Sequence, residues 1–311
     1  MGSSYVQPEP YGVTLIISPW NYPFQLLFAP LVGAMAAGNT AIIKPSEFAP
    51  HTSALIAKVI SENFAPEYIA CVEGGITESQ ALLNEKFDYI FFTGGTNVGR
   101  IVYQAAAKNM TPVTLELGGK SPCIVDRDTN IALTAKRIVW GKFVNAGQTC
   151  IAPDYILVDK TVKDQLVSKI IEYIKKSYGE NALNCEYYPR IINQTHLERL
   201  ATYIEEGDVI YGGKVVAEDN YIEPTLLENV AEDSRVMTDE IFGPILPIIE
   251  YDNIKEAIQF VNNRPKPLAL YIFSKSEKKV QKVLDETSAG GVTVNDTLLH
   301  IANPHLPFGG V

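Results

Sequence analysis

Residues 12–44 read GVTLIISPWNYPFQLLFAPLVGAMAAGNTAIIK, two short apolar runs separated by one helical stretch. The runs VTLIIS and TAIIK are apolar without alternation, which predicts strands that are buried on both faces. A strand, a crossover helix and a second strand of this kind make one unit of a parallel sheet. The stretch therefore predicts an α/β fold.

The same alternation continues as far as Gly118. Further strands are predicted at YIACVEGG, DYIFFTGG and VTLELGG, with helices at TSALIAKVISENF and VGRIVYQAAAK. Residues 1–117 are expected to form a doubly wound parallel sheet, which binds ligands at the carboxyl ends of its strands. Residues 118–311 are expected to form a second α/β domain, with strands at DYILVD, PLALYIFS and GGVTVND.

The composition limits the possible functions. The chain has 311 residues, of which 46% are hydrophobic, and a net charge of −10 without any basic cluster, which argues against a nucleic-acid partner. Its four cysteines lack C-x-x-C spacing, so neither a zinc site nor any other metal is expected. No apolar run has the roughly 18 residues that a membrane span needs, and the start MGSSYVQPEPYG does not resemble a signal peptide. We expect a cytoplasmic protein with no membrane segment in these residues.

Two of the turns that follow strands suggest a nucleotide. In FFTGGTNVGR, Gly94 and Gly95 precede a helix whose free N–H groups can bind phosphate, although the G-x-G-x-x-G spacing is not met and a plain tight turn is the commoner case. In AIIKPSE, Lys44 and Glu47 can bind a ribose, or Ser46 can simply cap a helix beside two solvated charges. A carboxylate at Glu47 repels a 2′-phosphate, so NAD fits more naturally than NADP.

Three other residues offer chemistry, each with an ordinary alternative. Glu116 in TLELGGK is either a solvated strand residue or a general base with a raised pKa. Asn21 in SPWNYPF is either a turn residue or a donor to an oxyanion. Cys150 in VNAGQTCIAP lies in a polar turn that suits a core cysteine poorly, and a local lowering of its pKa would make it a nucleophile.

The order of the motifs adds a resemblance. PWNYP, AGNTAIIKPSE, FTGGTNVG, LELGGKSP, GQTC, EIFGP and PFGG occur as in the aldehyde dehydrogenase superfamily, which the chain resembles over essentially its whole length. Blocks such as WGKFVNAGQTCIAPDYILVD are similar to its class 3 branch. The resemblance implies NAD(P)-dependent oxidation of a medium- or long-chain aliphatic or aromatic aldehyde, and a homodimer for the complete protein. It makes residues 1–117 a Rossmann-like NAD(P)-binding domain and residues 118–311 the catalytic domain.

The resemblance also implies a role for particular residues. Cys150 matches the nucleophile, Glu116 the general base that activates water, and Asn21 the side chain that shares the oxyanion with the Cys150 N–H. The cofactor residues that the resemblance implies are Ser18, Trp20, Lys44, Glu47, Gly94, Gly95, Val98, Gly118, Glu240 and Phe242. The ordinary alternative to a cofactor role is a solvated acid for Glu240 and a core aromatic for Phe242.

The chain departs from the family pattern in three places. The family usually has serine where Gly95 stands, it has a section before the position of Tyr5, and it has a tail after Val311 that joins an intersubunit sheet. We therefore expect a chain truncated at both ends. Two alternatives stay open, namely a coenzyme A-dependent acylating relative and a non-catalytic relative that keeps the fold. A cysteine hydrolase is a third, but no motif marks any of the four histidines as its base.

Overall fold

The computed structural model describes residues 2–311, which divide into two compact units at Leu117 and Gly118. In the first unit five strands form one parallel sheet in the order β3-β2-β1-β4-β5. The predicted α/β class with a parallel sheet is confirmed. The elements of this unit are β1 (Val13–Ile17), α1 (Gln25–Ala36), β2 (Thr40–Lys44), α2 (Pro50–Asn63), β3 (Ile69–Cys71), α3 (Ile76–Asn84), β4 (Tyr89–Thr93), α4 (Thr96–Ala107) and β5 (Val113–Glu116).

Helices cover both faces of this sheet. Leu27 of α1 and Ile56 of α2 are buried on one face, and Leu82 of α3 and Val102 of α4 on the other. Each such side chain stabilises the unit by about 1.5–3 kcal/mol through burial. Because β1 lies between β2 and β4, the crossovers run away from it in both directions, and the sheet has its switch point there.

The second unit contains a larger sheet. Seven strands lie in the order β14-β13-β6-β7-β12-β11-β8, and the pairings are parallel except that of β8 with β11. The two remaining strands, β9 and β10, form a small antiparallel pair. The elements are β6 (Pro122–Val125), α5 (Ile131–Phe143), β7 (Tyr155–Asp159), α6 (Lys163–Tyr178), α7 (Gln194–Ile204), β8 (Asp208–Tyr211), β9 (Val215–Val216), β10 (Tyr221–Ile222), β11 (Thr225–Glu228), α8 (Arg235–Thr238), β12 (Ile245–Tyr251), α9 (Ile254–Asn262), β13 (Ala269–Phe273), α10 (Glu277–Glu286) and β14 (Gly291–Val294).

This sheet too is buried on both faces. Ile138 of α5 and Ile170 of α6 belong to one core, and Leu200 of α7, Ile258 of α9 and Val283 of α10 belong to the other. All five residues of β13 are buried, which explains why that strand is apolar without alternation. Across residues 2–311, no helix combines the length and the apolar character that crossing a membrane requires.

Candidate active site

The candidate cofactor residues of the first unit follow the carboxyl ends of neighbouring strands. Ile17, the last residue of β1, pairs with Lys44, the last residue of β2. On the other side of β1, the final residue of β4, Thr93, pairs with Glu116 of β5. Because these strands are parallel neighbours, the residues that follow them lie along one edge of the sheet. The structure thus brings the motifs SPWN, KPSE, TGG and LELGG to a common edge.

Ser18 begins the turn after β1 and carries an unsatisfied hydroxyl. Its N–H donates to the carbonyl of Lys44 at 3.1 Å. Its side-chain Oγ is buried and has no hydrogen-bond partner within residues 2–311. A buried hydroxyl without a partner is uncommon, and a bound ligand is one way to satisfy it. Trp20 and Asn21, which follow in the same turn, are partly buried.

Lys44 and Glu47 form an ion pair after β2. The Lys44 Nζ lies 2.9 Å from Glu47 Oε2, with the lysine side chain 3% exposed and the glutamate 35% exposed. The alternative in which both charges are solvated is therefore wrong for Lys44. Ser46 does not cap α2 either, because its Oγ accepts from the N–H of Phe48 and the helix begins only at Pro50.

The glycine turn after β4 leads into α4, which begins at Thr96. A Cβ at Gly94 would lie 2.6 Å from the Phe92 ring, so a larger residue there would have to displace the ring, whereas a Cβ at Gly95 would meet nothing within 4 Å. The N–H groups of the first helical turn have no partner within the helix and favour an anion. Val98 in that turn is exposed. The space at Gly95 would admit the serine that the family usually has.

Glu116 is the last residue of β5, and its carbonyl accepts from the N–H of Gly94 at 3.0 Å. Its side chain is half-buried, and this burial raises the pKa of the carboxyl group. A raised pKa fits a general base better than it fits a solvated strand residue.

In the second unit, Cys150 follows a turn of unusual conformation. Asn145, Ala146 and Gly147 have φ of 51°, 51° and 74°, so three consecutive residues are left-handed. This costs roughly 1–2 kcal/mol for a residue such as Ala146, whereas glycine adopts it freely. A Cβ at Gly147 would lie 2.6 Å from the carbonyl carbon of Gly243, so this turn packs tightly against the EIFGP motif.

The burial of Cys150 separates it from a core cysteine. Cys123 in β6 is fully buried, and burial raises the pKa of its thiol strongly. Cys150 is only partly buried, at the margin of the core beneath α5 and α6. Cys71 and Cys185 are partly buried as well, so burial distinguishes Cys150 from Cys123 alone.

Glu240, in the EIFGP motif, points its carboxyl group into the protein. Its Oε1 is buried and has no hydrogen-bond partner within the described part of the chain, while the N–H of Gly119 bonds to the carboxyl group. A Cβ at Gly118 would overlap this carboxyl group, so a larger residue there would displace the Glu240 side chain. Burial, with the charge of Asp154, raises the pKa of Glu240 to about 8. The solvated alternative is therefore wrong for Glu240. Phe242 is partly buried and left-handed, with φ of 49°.

The structure adds polar residues that the sequence did not single out. Lys120 bonds to Asp154 and to the carbonyls of Val236 and Asp239, and so holds the segment before Glu240. Within residues 2–311, no group of three or more His, Cys, Asp and Glu side chains is placed to hold a metal ion.

Lys142 of α5 is fully buried, and its Nζ has no hydrogen-bond partner among the described residues. Burial lowers the pKa of Lys142 to about 8, against the charges of Asp154 and Glu240, which favour the ammonium form. A signal for its burial was available in the sequence, because it lies four residues after Ile138 on the same face of the helix.

A parallel sheet with nucleotide-type turns at its carboxyl edge, followed by an α/β unit that bears a partly buried cysteine, fits a two-unit α/β enzyme that binds a nucleotide. The profile of the aldehyde dehydrogenase family matches residues 2–311, and the chain belongs to that family. The predicted class of enzyme, an NAD(P)-dependent aldehyde dehydrogenase, is confirmed at the level of the family.

Close relatives support the class 3 resemblance. The chain is 52% identical over 311 residues to mouse aldehyde dehydrogenase family 3 member A2, covering 100% of this chain and 64% of that protein. It is 51% identical over 307 residues to the rat aldehyde dehydrogenase named dimeric NADP-preferring, covering 99% and 68%. The solved structure of Staphylococcus aureus AldH in a substrate-bound state has a TM-score of 0.95 at 54% identity, covering 97% of this chain and 67% of that one. The chain therefore spans about two thirds of the length of these relatives.

Proposed function

We propose that this chain oxidises an aldehyde to a carboxylic acid, with NAD(P)+ as the hydride acceptor. The observation that carries the proposal is that polar groups follow four neighbouring parallel strands, β2, β1, β4 and β5, at their carboxyl ends. A doubly wound sheet binds its ligand at this edge, beside its switch point. The unpartnered Ser18 hydroxyl lies at the same edge and suits a ligand rich in hydroxyl and phosphate groups.

The residues present fit a nicotinamide dinucleotide. Lys44 and Glu47 together offer a donor and an acceptor to a ribose, and the N–H groups at the start of α4 suit a pyrophosphate. In the second unit, Glu240 has a buried oxygen free to accept from a ribose hydroxyl. The chemistry that bound NAD(P)+ supplies is the acceptance of a hydride. The charge of Glu47 favours NAD, although the rat relative is named NADP-preferring.

Cys150 is the proposed nucleophile. Its thiolate attacks the aldehyde carbon, a C–S bond forms, and the carbonyl electron pair moves to the oxygen to give a thiohemiacetal. The side-chain amide of Asn21 and the N–H of Cys150 are the proposed donors to this oxyanion. Loss of one such donor typically costs about 3 kcal/mol, roughly a hundredfold in rate.

Glu116 is the proposed base for the second half of the reaction, in which Cys150 carries the oxidised acyl group as a thioester. Glu116 takes a proton from water, and the water oxygen attacks the thioester carbon. The C–S bond then breaks, Cys150 leaves as a thiolate, and the carboxylic acid is released. The half-buried position of Glu116 and its raised pKa suit this work near neutral pH. That Asn21 and Glu116 meet Cys150 stays a prediction.

We also propose the finer properties that the class 3 resemblance implies. The substrate is a medium- or long-chain aliphatic or an aromatic aldehyde, and the complete protein is a homodimer. A cytoplasmic location is proposed separately, from the sparse cysteines, which suit a reducing compartment. The first unit binds the cofactor and the second carries the catalytic cysteine.

The test is an absorbance assay for NADH or NADPH with the purified chain, using each coenzyme in turn with aldehydes of graded length and benzaldehyde. We expect reduced coenzyme to form and the rate to fall at least a thousandfold in Cys150→Ser, because a serine hydroxyl is a far weaker nucleophile near neutral pH. Cys185→Ser is the matched control and should keep its activity. A folded chain that forms no reduced coenzyme, or an active Cys150→Ser, would refute the proposal.

A further inference from the structure

Gln148, two residues before Cys150, uses both the donors and the acceptor of its side-chain amide. Its Nε2 donates to the carbonyls of Asn145 and Arg190, each at 3.1 Å. Its Oε1 accepts from the N–H of Ile192 at 3.0 Å. The residue is only 2% exposed. The amide therefore ties the cysteine turn to a segment 42 to 44 residues further along the chain.

The partner segment is itself braced. The guanidinium of Arg190 donates to the carbonyls of Tyr188 and Leu183, each at 2.8 Å, and stacks over the Tyr221 ring at 5.3 Å. The carbonyl of Arg190 and the N–H of Ile192 are thus presented to Gln148 by a fixed backbone. Gln148 therefore anchors the cysteine turn to this braced segment.

The turn needs such an anchor because its own conformation is unfavourable. Asn145 and Ala146 are left-handed although neither is glycine, and such conformations persist only where the surroundings enforce them. Within the turn, the side chain of Asn145 bonds back to the carbonyl of Gln148 at 3.2 Å, and the N–H of Gln148 bonds to the carbonyl of Asn145 at 3.0 Å. These bonds close the turn, and the Gln148 side chain fixes it to the segment at 190–192.

We propose that Gln148 is a positioning residue, which holds the backbone of Thr149 and Cys150 so that the thiol and the Cys150 N–H keep their reactive arrangement. The inference rests on the proposed role of Cys150 as nucleophile. Thiolate reactivity depends on nearby backbone N–H groups, and a displacement of about 1 Å can reduce a rate about a hundredfold. Removal of the Gln148 side-chain bonds should therefore lower the reactivity of the Cys150 thiol even when no coenzyme is present.

The test compares two substitutions of similar size. Gln148→Met removes all three side-chain hydrogen bonds, whereas Gln148→Glu keeps the acceptor for Ile192 and removes the donors to Asn145 and Arg190. The matched control is Gln194→Glu, since Gln194 also donates to a carbonyl, that of Ala217, but is exposed at the start of α7.

The main readout is the rate at which iodoacetamide alkylates Cys150 without coenzyme, followed by peptide mass spectrometry with Cys185 in the same molecule as the reference. We expect both Gln148 variants to slow alkylation of Cys150 and to lower kcat, each by about ten- to a hundredfold, with the KM for NAD unchanged and Cys185 unaffected. The Gln194 control should match the original chain.

If the Gln148 variants are folded and Cys150 reacts within twofold of the original rate, the inference is wrong. If one variant does not fold, the other decides. Failure of the proposed function gives a different result, because either the folded original chain would form no reduced coenzyme or Cys150→Ser would keep its activity, whatever the Gln148 variants do.

Discussion

Gly147→Ala tests the packing of the cysteine turn against the EIFGP motif. The added Cβ would lie 2.6 Å from the carbonyl carbon of Gly243 and closer still to its carbonyl oxygen, whereas real Cβ contacts stay beyond 3.0 Å, so the two backbones must separate by more than 0.4 Å (3.0 − 2.6). Forced packing of this kind costs about 1–3 kcal/mol. The φ of +74° adds about 1 kcal/mol for any residue other than glycine.

Gly147→Ala is therefore expected to lower the free energy of unfolding by about 2–4 kcal/mol in total. For a unit of this size, such a loss lowers Tm by about 5–15 °C. Gly38→Ala is the matched control. Gly38 also has a positive φ, of +84°, but its Cβ would meet only Pro10 atoms at 3.8 Å, so it should lose only about 1 kcal/mol.

The assay for both variants is thermal unfolding followed by circular dichroism, with the iodoacetamide rate of Cys150 measured on the folded protein. Separation of the backbones should also slow alkylation of Cys150 in Gly147→Ala and leave it unchanged in Gly38→Ala. Equal loss of stability in the two variants would refute the reasoning, because it would mean that the contact with Gly243 carries no cost.

Two further predictions concern carboxyl groups. Glu116→Gln should give one equivalent of NADH rapidly and then slow turnover, because the thioester forms but is not hydrolysed; full steady-state turnover in a stopped-flow assay would exclude Glu116 as the base. Glu240 has a pKa of about 8 in the folded chain and 4.5 ordinarily, so the native state binds the extra proton and its stability falls as pH rises between these values, by up to about 1.4 kcal/mol per pH unit. Urea unfolding at pH 6 and 8 should show this loss in the original chain and not in Glu240→Gln, and parallel losses in the two would contradict it.

Much of the first unit could be predicted from the sequence because its strands are apolar on both faces and its helices are periodic. Helix α3 was missed. It spans only nine residues and begins after Gly75, without a Ser, Thr, Asp or Asn cap. Its start is satisfied instead by Glu78, which reaches back to the N–H of Gly75 at 2.7 Å. A cap supplied from within the first turn is weaker as a sequence signal than a capping residue before it.

In the second unit, strand β12 was not predicted, and it contains a proline. Pro247 has no N–H to donate, which argues against a central strand. The pairing explains the exception, because β12 pairs with β11 over residues 245–247 and with β7 over residues 248–251. Pro247 is the last residue of β12 that pairs with β11, and the pairing with β7 begins at the next residue. This depends on contacts with two distant strands, which a local pattern does not contain.

The candidate site shows the same limit. The residue types of Cys150, Glu116 and Asn21 are visible in the sequence, but the arguments from single residues left each of them open, and only the order of motifs pointed to a role. The left-handed turn at Ala146 and the distant bonds of Gln148 were not predictable, because alanine has no preference for that conformation and two of the partners of Gln148, Arg190 and Ile192, lie more than 40 residues away.

If Glu47 contacts the coenzyme as proposed, its ion pair with Lys44 links coenzyme choice to folding. Replacing Glu47 with a neutral residue is the obvious way to admit a 2′-phosphate and shift the preference toward NADP. The same change leaves the ammonium of Lys44 buried without its partner, at 3% side-chain exposure, which costs about 1–3 kcal/mol. On the proposed role of Glu47, coenzyme preference and stability are therefore coupled at this position, and a change of coenzyme without loss of stability would need a second substitution that gives Lys44 a new acceptor.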